Sequence, residues 1–281
     1  MDAASRNERY ADLFAGHRRV LVGVLHLRPL PGAPRWGGSM QVVIDAAVAD
    51  ARAYAEGGVH ALCLENFGDI PFTPGPVGPE TVAAMAVVAT AVREAVALPL
   101  GFNVLRNDAQ AALALCAACG GCFVRVNVHV GAMLTDQGLI QGSAHETLRY
   151  RARVAPEVSI WADVLVKHAI PLGQWPLEMA AWDTWQRGLA DALILSGVAT
   201  GEPADPQHLK RLRTDCAGAR ILIGSGITPH NLGEYAAADG FLVGSYVKRE
   251  GRVEQPVDVE RVRALVRAFN QLPPLREFSH T

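Results

Sequence analysis

Glu65, Asp163 and His26 are the side chains of this sequence whose types and positions best suit acid/base catalysis. Each stands at or near the end of a short apolar run: ALCLE for Glu65, SIWADVL for Asp163 and VLVGVLH for His26. Carboxylates and imidazoles relay protons when their surroundings tune them. Arg125 lies within FVRVNV, and a buried guanidinium there needs a carboxylate, which Glu65 or Asp163 would supply. Arg125 therefore reads as a structural partner, and the two carboxylates read as catalytic. Alternation along the runs puts Asn103, Asn127 and Ser196 on the same inner side as ligand-orienting groups. Asp163 shares that side only if Trp161 does too, and an indole is bulky for such a position, so a bulge or shifted register is expected there. Lys167 and His168 follow Asp163 closely, and Lys167 is a further ligand-binding candidate, with a Schiff base as its more demanding alternative.

A second chemistry is suggested by glycine. Ile223-Gly224-Ser225-Gly226 and Val243-Gly244-Ser245 end two late apolar runs. Turns without a Cβ can present backbone amides to an anion, so Gly224, Ser225, Gly226, Gly244 and Ser245 are candidate phosphate ligands. Ordinary tight turns use the same residues. Lys248 is either a counter-charge for that anion or a solvated lysine. Cys116, Cys119 and Cys122 form C-x2-C-x2-C, but no fourth ligand lies nearby and Cys122 begins an apolar run, so the trio reads as small buried residues. There is no H-E-x-x-H and no G-x-S-x-G. No cofactor or metal is assigned; a divalent ion between Glu65 and Asp163 is the alternative.

The elements that must position these groups recur in one pattern. Apolar runs at 20–25, 61–65, 100–104, 123–128, 159–165, 192–196, 221–224 and 241–243 are each followed by a stretch of helical period, the seventh at 229–236. Continuous apolar strands alternating with helices imply a parallel sheet covered on both faces. Eight such units in 281 residues predict a single-domain α/β fold, a (β/α)8 TIM barrel over 18–272. Residues 1–17 read as an N-terminal extension and 273–281 as a tail. Helix-to-strand links are short, whereas the strand-to-helix links at 26–39, 66–78 and 129–142 are long and rich in Gly and Pro. That asymmetry puts the site at the C-terminal face. In the link at 129–142, Thr135, Asp136 and Gln137 read either as a polar turn or as a mobile lid whose side chains meet the ligand. Trp175, Trp182 and Trp185 read as packing or a subunit contact, which would make a homo-oligomer.

Composition excludes other classes. Twenty-six Lys plus Arg against 28 Asp plus Glu leave a net charge of −2, without the basic footprint of a nucleic-acid binder. The polar start MDAASRNERYADLF is no secretory leader, and the most apolar span, 82–100, is interrupted by Arg93 and Glu94. A cytoplasmic protein with at most peripheral membrane contact is expected.

The motifs VGVLHLRPLPGAP, LENFGDIPF, NVLRNDAQAALAL, RVNVHVGAMLTDQGLIQG, ADVLVKHAIPL and IGSGITPHN resemble those of the BtpA family over 18–270. The resemblance implies a phosphate-binding barrel. It also brings a link to photosystem I biogenesis, and relatives occur in organisms without photosynthesis. Two functions follow as expectations: an enzyme acting on a small phosphorylated, sugar- or nucleoside-like molecule, or a non-catalytic assembly factor for a membrane complex.

Overall fold

Apolar runs with both faces covered become the strands, and Ala-rich stretches with capping residues become the helices between them. The computed structural model describes residues 3–14 and 17–275. In chain order the elements are α1 (Ala3–Asp12), β1 (Val20–His26), α2 (Met40–Gly57), β2 (Ala61–Glu65), α3 (Pro79–Ala95), β3 (Leu100–Asn103), α4 (Ala109–Cys119) and β4 (Phe123–Val126). There follow β5 (Ala132–Thr135), β6 (Gly138–Gln141), α5 (Ala144–Val154), β7 (Ser159–Val164), β8 (Ala169–Pro171), α6 (Leu177–Trp182), β9 (Ala192–Leu195), α7 (Pro206–Asp215), β10 (Arg220–Ile223), β11 (Gly240–Val243) and α8 (Val259–Asn270). Side-chain caps set several helix starts: Asp108 accepts from the Ala111 amide at 2.9 Å, and Asp205 from the Gln207 amide at 2.8 Å.

Eight strands close a parallel barrel in the order β1-β11-β10-β9-β7-β4-β3-β2, the expected (β/α)8 architecture. Two apolar layers result. Leu62, Leu64, Val124 and Val126 face the helices, whereas Ala61, Cys63, Phe123 and Ile194 fill the barrel. Trp161 belongs to the inner layer, in unbroken register with Ala192, so neither a bulge nor a slip brings Asp163 inward. Its indole stacks on Phe123 at 3.9 Å, and the Phe123 ring occupies the space a Cβ on Gly101 would need. Tyr10, in α1, and Phe14, just after it, pack beneath Trp161 at 5.7 and 5.9 Å between centroids. The segment set apart as an N-terminal extension thus carries the helix that closes the bottom of the barrel. Residues 1–2 and 15–16 of that segment, and 276–281 of the expected tail, lie outside the described residues.

Three further expectations are corrected. The link at 129–142 is no structureless lid: β5 and β6 form a hairpin that β8 extends into an antiparallel three-stranded sheet. Met133 and Ile140 anchor it on Val128 and Val166, a short-range alternation hidden within a Gly-rich stretch. The helix expected at 229–236 is only a 3-10 turn, Leu232–Tyr235. Asn231 bonds back to the Thr228 amide and the Gly226 carbonyl, both at 2.8 Å, taking the place of a helical ladder. Third, the tryptophans do not act as one group: Trp175 precedes α6 and packs at Gly131, while Trp185 is buried over Arg6 and meets Trp182 edge-on.

Candidate active site

The strand ends converge as the alternation requires. His26 pairs with Glu65 and Glu65 with Asn103 in register, so β1, β2 and β3 deliver their polar residues at one level. His26 Nε2 lies 3.3 Å from Glu65 Oε2, and Arg125 lies 3.9 Å from the other Glu65 oxygen. Burial alone would raise the Glu65 carboxyl, but the His26 hydrogen bond and the Arg125 charge hold it down at about 2. Burial pushes His26 below its ordinary value against the pull of Glu65. The imidazole is wedged between Phe67, at 4.6 Å, and Gly244, where a Cβ would stand 2.6 Å from the ring. Its Nδ1 is buried without a protein partner among the described residues.

Asp163 is differently placed. Arg125 grips it with two hydrogen bonds of 2.9 Å, Asn127 donates at 3.0 Å and Ser196 at 3.2 Å. Asn103 in turn donates to the Asn127 side-chain oxygen at 3.1 Å. A carboxylate gripped by this many donors is fixed in place, which suits positioning Arg125 and Asn127 better than proton transfer.

Lys167 reaches the mouth from a strained turn. Leu165 and His168 flank it with φ of 51° and 55°, a left-handed conformation that costs a non-glycine residue about 1–2 kcal/mol. Its ammonium makes no ion pair among the described residues, and burial together with the nearby Arg125 lowers it to about 8. His168 instead bonds Thr200 and is exposed, at the edge of a cavity that it lines together with Glu65 and Lys167.

The glycine turns divide between packing and presentation. The Ser225 hydroxyl donates to the Glu202 carbonyl at 2.7 Å and accepts from the Gly197 amide at 2.8 Å, so it ties two loops together and is not a free ligand group. Gly226 has φ +68°, and a Cβ there would meet the Pro203 backbone at 2.2 Å. A Cβ on Gly224 would meet Ile194 and Ser196. The amides of Gly226, Ile227, Ser245 and Tyr246, however, have no hydrogen-bond partner among the described residues. All four residues line one cavity of about 690 Å³ that also takes in His26, Glu65, Arg125 and Lys167. Lys248 fits neither expected role: it is 2% exposed and ion-paired to Asp50, whose other oxygen takes the Val257 amide at 2.7 Å.

Sequence reasoning missed six residues of this region: Phe67, Ile70, Phe72, Leu105, Arg106 and Thr200, which share a second cavity of about 420 Å³ with Glu65 and Lys167. Their signal was position, since each lies in a link that leaves the C-terminal end of a strand. Asn66 and Asp69 of the same links are architectural. Asn66 accepts from the Leu105 amide at 2.7 Å, and Asp69 from the Leu30 amide at 2.8 Å, locking three loops together. The five cysteines are free thiols, and Cys116, Cys119 and Cys122 cap carbonyls of neighbouring elements. No group of three or more His, Cys, Asp or Glu among the described residues is placed to hold a metal ion. No helix there is long and apolar enough to cross a membrane.

The sequence profile of the BtpA family matches residues 17–271. The "Photosystem I biogenesis protein BtpA" of Synechocystis is 47% identical over 257 residues, which are 91% of this chain and 89% of that one. An uncharacterized protein of Thermococcus kodakarensis is also 47% identical, over 91% of this chain and 97% of its own. Phosphoribosyl anthranilate isomerase from Thermus thermophilus superposes with a TM-score of 0.56 at 17% identity, covering 90% of this chain and 100% of that one; this likeness is of fold alone.

Proposed function

The chain belongs to the BtpA family, and from that premise we propose that its barrel is an enzyme acting on a small phosphorylated, sugar- or nucleoside-like molecule. One observation carries the reading: a single cavity joins amides at the ends of β10 and β11, and a lysine, that have no partner among the described residues, to the His26–Glu65 pair. The amides of Gly226, Ile227, Ser245 and Tyr246 would hold the phosphate, as fixed dipoles that need no reorganisation. Lys167 would add charge to the anion. Asn103 and Asn127, aligned by Asp163, would orient the polar body of the ligand.

His26 and Glu65 are the proton-transfer groups of this reading. Glu65 is ionised at neutral pH and His26 is neutral, so the imidazole can accept a proton from the ligand and Glu65 stabilises the imidazolium that forms. The isomerase that shares the fold acts, by its name, on a phosphoribosyl compound, which agrees with a ligand of this size. A thermal-shift screen of phosphorylated metabolites tests the proposal, repeated with Ser245→Asp. Ser245 is half-buried, and its hydroxyl has no partner among the described residues, so a carboxylate there repels an anion without disturbing the loops. Stabilisation of the wild type that vanishes in Ser245→Asp is the expected result. Stabilisation by no phosphorylated compound, or by one that acts equally on the variant, rejects the proposal.

A second reading, a non-catalytic assembly factor, draws on the name of the Synechocystis relative and on an apolar row across the hairpin sheet. Leu134 faces Leu139 on one side and Ile170 on the other, and all three are exposed. Full complementation of a deletion strain by both Glu65→Gln and Asp163→Asn would favour it over catalysis.

A further inference from the structure

The mouth has two lobes of different character that meet at Glu65, Phe67, Ile70, Lys167 and Thr200. The first lobe carries the glycine turns. The second, of about 420 Å³, is walled by Phe67, Ile70, Phe72 and Leu105, with the Phe67 and Phe72 rings 6.4 Å apart and inclined at 60°. Phe72 and Ile70 are partly exposed on a loop, where an unliganded protein gains nothing from aromatic surface. Arg106 stands in the same lobe and is 4% exposed. Its guanidinium donates to the Lys167 carbonyl at 2.8 Å, ion-pairs with no carboxylate among the described residues, and leaves Nε buried without an acceptor. A buried donor with no partner is costly, and an acceptor brought by a ligand removes that cost.

We infer that the second lobe is a subsite for a planar ring bearing an oxygen acceptor, so that the ligand is two-ended, with phosphate on the glycine turns and the ring against Phe67, Phe72 and Arg106. This rests on the phosphate reading above and narrows it, from sugar- or nucleoside-like to ring-bearing compounds. Apolar walls supply the area and edge contacts that favour an aromatic group. Arg106 supplies the in-plane donors that distinguish a ring carrying a carbonyl or carboxylate from a plain hydrocarbon. Glu65, His26 and Lys167 then face the middle of the ligand, where its ring and sugar join.

Isothermal titration of wild-type protein with inorganic phosphate, ribose 5-phosphate, adenosine 5′-monophosphate and uridine 5′-monophosphate tests the inference. The expected result is that at least one nucleotide binds about tenfold or more tightly than ribose 5-phosphate. The ratio should shrink in Phe72→Ser and, for uridine 5′-monophosphate with its ring carbonyls, in Arg106→Leu, each variant first shown by circular dichroism to be folded. Equal affinity for ribose 5-phosphate and both nucleotides overturns the second lobe as a ring subsite while leaving the phosphate reading intact. So does a ratio that survives in both variants. Failure of ribose 5-phosphate and inorganic phosphate to bind at all, with no nucleotide binding either, overturns the phosphate reading and this inference with it.

Discussion

Asp191 and Asp239, at the bottom of the barrel, each engage two arginines and a backbone amide. Lys167 and Arg106, at its mouth, form no ion pair with a carboxylate among the described residues. Asp191 binds Arg9 and Arg151, both at 2.7 Å, and the Ile160 amide at 2.7 Å. Asp239 binds Arg213, Arg220 at 3.1 Å and the Ile221 amide at 2.7 Å. These clusters join α1, α5 and α7 to the starts of β7, β9, β10 and β11, and every carboxylate oxygen in them is used. At the mouth, Asp163 is equally well satisfied, but Glu65 has His26 at 3.3 Å and only a long contact with Arg125, which Asp163 already holds. The same fold thus neutralises buried charge where the chain must hold together and keeps it available where a ligand would enter. A stability–function division of this kind is general for barrels.

The comparison breaks first if the bottom clusters prove dispensable. Asp191→Asn removes the carboxylate shared by the buried Arg151 and the half-buried Arg9, and a loss of about 3–5 kcal/mol is expected. Thermal unfolding should show this as a fall in Tm of about 10 °C; a change within a degree would contradict the assignment.

A buried histidine behind the site gives the next effect. His129 donates to or accepts from no charged group; its Nε2 meets the Gly188 carbonyl at 2.7 Å, and burial lowers it to about 4. The unfolded chain takes up that proton near 6.5 and the folded chain only near 4, so stability is complete above 6.5 and falls as pH drops from 6.5 to 4. The expected loss is about 3 kcal/mol. Urea unfolding across that range should show this decline, and His129→Phe should flatten it. An equally steep decline in the variant would assign the proton uptake elsewhere.

Glu65 is expected to give a smaller and more local effect. Its carboxylate raises the proton affinity of His26 against burial. Glu65→Gln should therefore move the His26 titration to still lower pH. Carbon-detected NMR of the imidazole reads this directly, and a shift to higher pH would remove Glu65 as the partner of His26.

Much of the mouth was legible in the sequence because strand alternation is local. The parity of Ala61, Cys63 and Glu65, and of Phe123, Arg125 and Asn127, fixed which side chains enter the barrel, and the long links told which end was open. What was hidden depended on distant partners. Trp161 fits inside only because Gly101 lies two strands away and Tyr10 and Phe14 cover the floor. Lys248 is consumed by Asp50, 198 residues earlier, and Ser225 by Glu202 in a neighbouring loop. Spacing along the chain carries no trace of such pairings. Arg106 and Phe72 escaped notice for the opposite reason: they belong to links with no periodicity, and only the closed barrel brings them to Lys167.

The central claim is that the mouth keeps charge unpaired for a ligand, at a cost in stability, and Lys167→Met addresses it most directly. With its ammonium lowered from 10.5 to about 8, Lys167 costs the folded protein up to about 3 kcal/mol at neutral pH. Isothermal titration of ribose 5-phosphate into wild type and Lys167→Met, with Tm measured on the same samples, should show affinity falling by about tenfold or more while Tm holds or rises. Wild-type affinity should also weaken above pH 8, as Lys167 loses its proton. Unchanged affinity in Lys167→Met, or a Tm that falls as in Asp191→Asn, would show that Lys167 is a structural cation and would contradict the account.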